Sequence, residues 1–580
     1  MSLARLHTLN RKARQLGGDP ILRRWLWERL LGRRPGGNSL ASGRPPYLAD
    51  YQPSPTPSTF ASTAPNFQEL PDSDPKGDLV LALPGETIRL SPGDEHALMM
   101  RDFVDTETLL GLHRFAWLPI IGNDIAPEWV AAMWRAWRGL HGAAARTGWP
   151  WHPYTAAERV INILDYAQRH GLPGPRDDTL KCLAGHGEVI ETTLEYFGES
   201  NTGNHLANNG RGLFLLGLAL GIERYADIGG RILIEEGARI FGPSGILREG
   251  SSHYHLLLTR NYASAWLAAR TNGRPETAAL EEITKRAIAG LPHLVLPGGM
   301  PLIGDISPDC PPGFLAGLLP GGNKDRGWTG TRTAQERDAL AELTNQAGNP
   351  PVKQLEQDGW WRFDSGHWAA LWHVAPDGWS HMPGHGHQDL GGFEIHFDGA
   401  PLFRDTGRGA YGQDGEAAAY VSARAHNTLM IDDAEPYPPN KPYYDAAFRR
   451  GIDGAPPVMT RNADGLNLTH RGFRRINGID AVTRNWRFDA NAMFLTDHIN
   501  GKGRHGIARR LHTTWPVEPA PGGVIIEGAG RRFRLTCDGA VAIEKSKCWL
   551  AYGEAVPATV IDIGMTAALP LETLLTVEAI

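Results

Sequence analysis

Hydrophobic spacing along this 580-residue chain changes period near Pro350. Before that point, from about Glu107 to Leu343, apolar residues recur three and four apart, as in Trp129, Met133, Trp134, Trp137 and Leu140, or Val160, Ile163, Leu164 and Ala167. That is the period of a helix with one buried face. Gly and Pro separate the runs at Gly171–Pro175 and Gly242–Gly245, which suits helical hairpins packed side by side. Beyond Pro350 the chain offers short runs bounded by Gly, Asp, Asn and Pro: Trp368–His373, Phe393–Phe397, Thr428–Ile431, Val524–Glu527 and Phe533–Cys537. They read as strands, and with no helical spacing between them they fit an antiparallel sandwich better than a parallel sheet. The expectation is an α+β multidomain chain: a basic N-terminal helical segment over 1–40, a Pro-rich linker or wrapping loop over 41–78, a helical domain over 79–348 and a β-sandwich over 349–580. A groove between two such domains is a usual place for a ligand.

Charge narrows the function. The chain carries 58 basic and 64 acidic side chains, a formal charge of −6, so no whole-molecule positive field exists to hold nucleic acid, which is set aside as a partner. Cys182, Cys310, Cys537 and Cys548 form neither a CxxC pair nor a disulfide-dense pattern. The apolar runs Leu213–Leu220 and Leu291–Leu296 are too short to cross a bilayer, so no transmembrane segment is expected. In the first forty residues Arg5, Arg11, Lys12, Arg14, Arg23, Arg24, Arg29, Arg33 and Arg34 interrupt any apolar core, and no export signal is read. A cytoplasmic location is the expectation, with the periplasm as the alternative. Arg23–Leu31 sets Trp25, Leu26, Trp27, Leu30 and Leu31 among arginines. It reads first as a helix docked on the body with its charges in water, and weak contact with an anionic membrane surface is the alternative. A homodimer is compatible with the sequence.

Four segments could carry chemistry. In His385-Gly386-His387-Gln388-Asp389, two histidines one residue apart project to the same side of an extended segment, so both can approach one metal, or one a metal and the other a substrate. Asp405 and His426 follow in the same strand-rich region, and His387, Asp405 and His426 together make an ordinary zinc donor set. The competing reading is three polar residues bonding separate loops. In Glu199–Asn209, a cap at Ser200, Asn201 or Thr202 puts Asn204 and His205 near a helix N-terminus, where amides and an Asn side chain receive a carboxylate or oxyanion. The plainer alternative is asparagines that cap and turn. Arg248–His255 holds Tyr254 among histidines and small polar residues, suiting either a catalytic acid or base or a packed helix start. Trp149–Tyr154, with Arg159 and Asn162, offers flat aromatic faces beside hydrogen-bonding groups, which suit sugar rings or a packed helix entrance. Trp151, His152, Tyr154, Arg159 and Asn208 are the candidate substrate-binding residues.

In this order, the segments resemble the heparinase II/III-type polysaccharide lyases, whose relatives include alginate and oligoalginate lyases. The resemblance runs from about Trp149 to Pro519 and rests on Asn204-His205, Ser252-His253-Tyr254-His255, Ile303-Gly304-Asp305, His385-Gly386-His387-Gln388-Asp389 and Ala425-His426-Asn427-Thr428. It implies an N-terminal incomplete (α/α) toroid, a C-terminal antiparallel β-sandwich and an active groove between them. It also implies β-elimination beside a uronic acid in an acidic polysaccharide or oligosaccharide. By resemblance, Asn204 neutralises the uronate carboxylate, and His205 is base or second neutraliser. Tyr254 protonates the leaving O4 and takes the C5 proton when both lie on one face, with His385 as helper or alternative base. The same resemblance assigns a structural zinc to His387, Asp405 and His426, positioning the loop that presents His385. Two other classes compete: a non-catalytic carbohydrate-binding protein of polysaccharide production, and a zinc-dependent hydrolase. For the latter, Leu390 stands where the HxHxDH pattern needs its last histidine.

Overall fold

A computed structural model describes residues 13, 16–34, 42–51, 67–71, 73–142, 146–379, 384–412, 415–441 and 443–580. Arg5, Arg11, Lys12 and Arg14 of the basic segment, and 52–66 of the Pro-rich segment, lie outside the described residues. The first described helix, α1 (Pro20–Leu30), is capped by Asp19, whose carboxylate accepts from the amides of Ile21 and Leu22. It buries Ile21, Leu22 and Trp25. Trp25 meets Tyr443 at 4.7 Å between ring centroids, and Arg34 pairs with Asp445 at 3.0 Å, so this helix docks on the C-terminal half. Where the Pro-rich segment is described, it lies along the helical half through single bridges of Gly43 to Tyr196 and Glu69 to Leu172.

The helical half builds on α2 (Thr106–Arg114), α3 (Pro127–Trp137), α4 (Pro153–His170), α5 (Arg176–Thr192), α6 (Asn204–Leu220), α7 (Glu223–Ile240), α8 (Ser252–Thr271), α9 (Thr277–Leu294) and α10 (Ala334–Ala347). Successive helices pack as pairs, and α6 touches α4, α5, α7 and α8. The tightest pair, α6 with α7, is possible because glycines face it: a methyl group on Gly229 would sit 2.3 Å from the Phe214 amide nitrogen, and one on Gly217 would sit 2.3 Å from that of Ala226. The expected tryptophans do pack inward, with Trp134 and Trp137 stacked at 5.5 Å. A short hairpin, β1 (Leu79–Leu83) and β2 (Glu86–Leu90), precedes these helices inside the span read from the sequence as helical, and its alternating Leu79, Leu81 and Leu83 join their core.

The C-terminal half is antiparallel throughout the described residues. A four-stranded sheet runs β3 (Trp360–Ser365), β4 (Trp368–His373), β5 (Phe393–Phe397), β6 (Ala400–Phe403). The other strands are β7 (Leu429–Ile431), β8 (Val458–Arg461), β9 (Gly465–His470), β10 (Ile479–Phe488), β11 (Ala492–Gly501), β12 (Arg504–Thr513), β13 (Val517–Ala520), β14 (Gly523–Gly528), β15 (Arg531–Cys537), β16 (Ala540–Ala551), β17 (Glu554–Ala568) and β18 (Leu571–Ala579). They form an eight-stranded sheet in the order β13-β14-β15-β18-β11-β10-β9-β8 and a second four-stranded sheet, β16-β17-β12-β7. Aromatic contacts between the first small sheet and the large one, Trp372 with Trp486 at 5.5 Å and Phe363 with Phe488 at 5.0 Å, fill the sandwich core. The fold is therefore a helical half followed by antiparallel sheets, as the texture of the sequence predicts, and it is consistent with the toroid that the resemblance implies.

Candidate active site

The two halves are joined where three loops meet. Gly250 lies just before α8, Gly304 in the loop after α9, and His385 in the loop between β4 and β5. The amide of His385 donates to the carbonyl of Glu249 at 3.0 Å, and that of Asp305 donates to the carbonyl of His385 at 2.9 Å. Gly304 has a φ of +81°, and a side chain there would meet the carbonyl oxygens of Gly250 at 2.6 Å and His385 at 2.7 Å. Only glycine fits both the left-handed conformation and that approach. The Ile303-Gly304-Asp305 segment is thus a junction of backbones before it is a source of side chains.

Asp305 is the hub of the junction. Its carboxylate accepts from His385 Nδ1 at 3.0 Å, His387 Nε2 at 2.9 Å and Arg408 Nη1 at 3.0 Å. Burial disfavours its charge, but the bonds to His385 and His387 outweigh that and hold the carboxyl well below the usual range. With Nδ1–H given to Asp305, His385 presents an Nε2 lone pair, which accepts from Asn204 Nδ2 at 3.2 Å and lies 3.4 Å from Glu249. Asn204 begins α6. Its amide and its Nδ2 both donate to the Glu249 carboxylate at 2.6 Å, which fixes the side chain and leaves the second Nδ2 hydrogen toward His385. The ring of Tyr254, in the first turn of α8, lies against that of His385 with centroids 3.4 Å apart and planes within 12°.

The Tyr254 hydroxyl lies 2.8 Å from that of Tyr411. Tyr411 also donates to the Ile306 carbonyl at 3.2 Å, and its backbone amide donates to the Tyr552 hydroxyl, which in turn donates to Asp105. Burial raises the Tyr254 phenol well above its ordinary value of 10, and its bond to Tyr411 only partly offsets this. His205, on the same first turn of α6, is half exposed and donates Nδ1–H to Glu195 at 2.7 Å. Burial opposes its charge, but Glu195 prevails and raises its pKa. Tyr154 stands beside it with ring centroids 4.5 Å apart, and its hydroxyl donates to Asp309, which Arg114 also holds.

Asn204, His205, Tyr254, His385 and Tyr154 thus converge, and His152 adjoins them 3.6 Å from Glu195. Trp151 and Arg159 do not. They lie in the helical core, with the Arg159 guanidinium 3.9 Å over Trp137 and bonded to the His113 carbonyl and to His186. The expectation that these two line the groove is corrected: an arginine among tryptophans here fills the interior. Asn208 is likewise buried, one turn below Asn204, with neither side-chain atom bonded. His253 and His255, beside Tyr254, are buried and held near pKa 3 by desolvation, and they accept from the amides of Ser307 and Leu247, so their role is packing. Glu249, Asp305, Arg408, Tyr411 and Glu195 were not singled out as functional from the sequence. Glu249 and Asp305 lay inside noted segments, whereas Tyr411 sits in a Gly-rich loop with no local signal.

Behind the histidine loop, ligand atoms of Asp389, Asp405 and His426 lie within 4.8 Å of one another, all buried. His426 Nε2 faces the Tyr420 carbonyl at 3.1 Å and so is a donor, leaving Nδ1 as a lone pair 2.9 Å from Asp405 Oδ2 in the neutral ring. Two acceptors at that distance need a cation between them, and Asp405 raises the His426 pKa to about 9 against desolvation. His387, expected as a ligand, is not in that trio. Its ring is 5.0 Å from that of His426, and its Nδ1 is buried without a partner. An orphaned imidazole nitrogen beside two carboxylates and a second lone pair fits a divalent metal of the zinc type. Asn427 fastens the same region: its Nδ2 donates to the carbonyls of Phe393 and Arg404 and its Oδ1 accepts from the His512 amide, which ties β5, β6 and β12 together.

Residues 347–570 match the family described as Heparinase II/III-like, C-terminal. No curated protein matches the chain. Among solved structures, a mutant of the heparan sulfate lyase HepC from Pedobacter heparinus is 16% identical, with a TM-score of 0.53 over 83% of this chain and 78% of its own. A structure of heparinase III is also 16% identical, with a TM-score of 0.62 over 83% of this chain and 79% of its own. At such identity the likeness is one of fold.

Proposed function

We propose that this chain, whose residues 347–570 match the Heparinase II/III-like C-terminal family, is a polysaccharide lyase that cleaves the glycosidic bond beside a uronic acid by β-elimination in the groove where its halves meet. The observation that carries the proposal is the convergence of Asn204, Tyr254 and His385 from α6, α8 and a β-half loop into one cluster.

The hard step is removal of the C5 proton beside a carboxylate that already bears charge. The Nδ2 hydrogen that Asn204 directs at His385 turns to the substrate when His385 takes up its role as base, and with His205 and the N-terminus of α6 it draws that carboxylate's charge. His385 Nε2, the lone-pair nitrogen of the neutral tautomer that gives Nδ1–H to Asp305, takes the C5 proton. The C5–H electrons form the C4–C5 double bond, the C4–O4 bond breaks, and O4 receives a proton from Tyr254. Its raised pKa keeps Tyr254 protonated until then, and the Tyr411 hydroxyl, 2.8 Å away, turns to donate to the phenolate that forms. Asp305 and Glu249 flank the resulting His385 imidazolium until its proton leaves. A zinc held by His387, Asp405 and His426, with Asp389 adjoining, would supply a fixed positive charge that stiffens the loop presenting His385. Metal analysis of the purified protein and of His387→Ala tests this: loss of bound zinc together with a lower Tm is expected, and a variant equal to wild type in both would remove His387 from the site.

Incubation with a panel of uronic-acid polymers decides the reaction class. An ultraviolet chromophore from an unsaturated uronyl end is expected. Reducing ends without that chromophore would mean hydrolysis, and neither signal with retained binding would mean a carbohydrate-binding protein. Substrate affinity carries a pH signature as well. The folded pKa of His205 is raised, so its charge is present below that pKa and is lost as pH climbs through it. KM therefore rises on the alkaline side, and His205→Gln raises KM about tenfold at neutral pH and flattens that limb, as loss of one charge-assisted hydrogen bond requires.

A further inference from the structure

We propose that the far end of the helical toroid holds a second ligand site, for an oxyanion carried by a small molecule of about sugar size, built around Arg260 and Arg211. The helices that place Tyr154, Asn204 and Tyr254 at the groove are α4, α6 and α8, and the C-terminal halves of the same three surround a cavity of about 360 Å³. That volume is within the range of small-molecule sites. Midway along α6 and α8, Arg211 and Arg260 line it while exposing only 2% and 6% of their surface. Asn162, Gln168 and Ser264 add amide and hydroxyl groups to the wall.

The charges lining this cavity do not balance. Arg211 gives one bond to Glu158, at 3.2 Å, and its Nε has no acceptor. The Asp165 carboxylate is taken by Arg332 and Arg169 together. Glu336 is turned into the capping box of Thr333. Arg260 is left without a bonded carboxylate, and the Asp309 charge acts on it only from beyond ion-pair distance. Among the described residues it makes no hydrogen bond or ion pair, and its Nε is buried without an acceptor. Burial and the like charge of Arg260 lower the pKa of Arg211 to about 10, against the opposing pull of Glu158 and Asp165. Buried guanidinium groups without a bonded acceptor are costly, and a planar or tetrahedral oxyanion received by both forks lowers that cost. Carboxylate, sulfate and phosphate share the required chemistry. The site uses none of the groups assigned to catalysis, so it stands whether or not the elimination reading does.

The test is thermal unfolding of the full chain at constant ionic strength with millimolar sulfate, phosphate or glucuronate replacing chloride, and calorimetric titration of the same three probes. At least one is expected to bind with one-site stoichiometry and raise Tm by about 2 °C, in line with ligand linkage. Arg260→Met is expected to unfold at an equal or higher temperature than wild type in chloride and to lose the response, because the unpaired charge is gone. Ala268→Trp, which fills the cavity and keeps both arginines, is expected to lose it too, and it decides the matter if Arg260→Met does not fold. A response to glucuronate alone identifies a sugar acid as the ligand, and one to sulfate or phosphate alone an inorganic or esterified anion. The proposal is overturned if no probe binds wild type, or if the response survives in the folded variants, which would assign it to general salt effects or to the catalytic groove.

Discussion

Tyr254→Phe is expected to reduce kcat on a uronic-acid polymer by about 10³-fold or more while leaving the fold and Tm unchanged, the loss typical of removing a positioned acid. The ring is what packs: it lies on His385 at 3.4 Å and keeps that contact in the variant. Only the hydroxyl disappears, and its partner Tyr411 retains the Ile306 carbonyl as acceptor, so no buried donor is stranded and the stability cost stays within about 1 kcal/mol. KM should change little, because the hydroxyl acts on a bond that breaks in the transition state. Full activity in the variant would remove Tyr254 from the mechanism. A fall in both Tm and activity would instead mean that the hydroxyl pair with Tyr411 is structural.

Asp305→Asn is expected to have effects of similar size on rate and a further one on stability. The substitution keeps the shape and removes the charge on which His385, His387 and Arg408 converge. An asparagine cannot accept from all three, and its amide can turn His385 to the wrong tautomer, with the lone pair on Nδ1 and no base toward the substrate. A kcat loss of about 10²-fold to 10⁴-fold follows. Because Asp305, in the helical half, holds three groups of the β half, removing its charge also leaves Arg408 and His387 with less compensation, at a cost of about 3 kcal/mol. The combined readout separates this residue from Tyr254, whose substitution moves rate alone. Unchanged kcat with lowered Tm would reduce Asp305 to a structural tie.

Much of the architecture could be read from spacing. Val160, Ile163, Leu164 and Ala167 mark one buried face of α4, and the runs Trp368–His373 and Phe393–Phe397 coincide with β4 and β5. These elements were legible because each is amphipathic or fully apolar over its own length. The β1–β2 hairpin was not seen, since five residues of alternation around Gly85 are too few to stand out inside a helical stretch. Long strands such as β16 and β17 were missed because their charged, half-exposed faces blur the alternation.

At the site, side chains sitting on helix starts or tight loops were legible, which is why Asn204, Tyr254 and His385 could be named. Their partners were not. Glu249 and Asp305 acquire meaning only when loops separated by 45 and 80 residues from Asn204 and His385 are brought within hydrogen-bond distance. Trp151 and Arg159 misled for a physical reason: an arginine over an indole is as good an interior pair as a sugar platform, and local sequence does not say which side faces water. The unmatched Arg260 was equally invisible, because its lack of a partner is a property of the folded interior.

The central claim is that the glycosidic bond is broken by loss of a proton from carbon, without water. Turnover in ¹⁸O-labelled water, followed by mass spectrometry of the oligosaccharides, tests it most directly. Products with every new non-reducing end lighter by one water than a hydrolytic end, and with no label beyond that exchanged into the reducing carbonyl, are the result predicted. One ¹⁸O atom retained per bond cleaved, after correction for exchange at the reducing carbonyl, would contradict it.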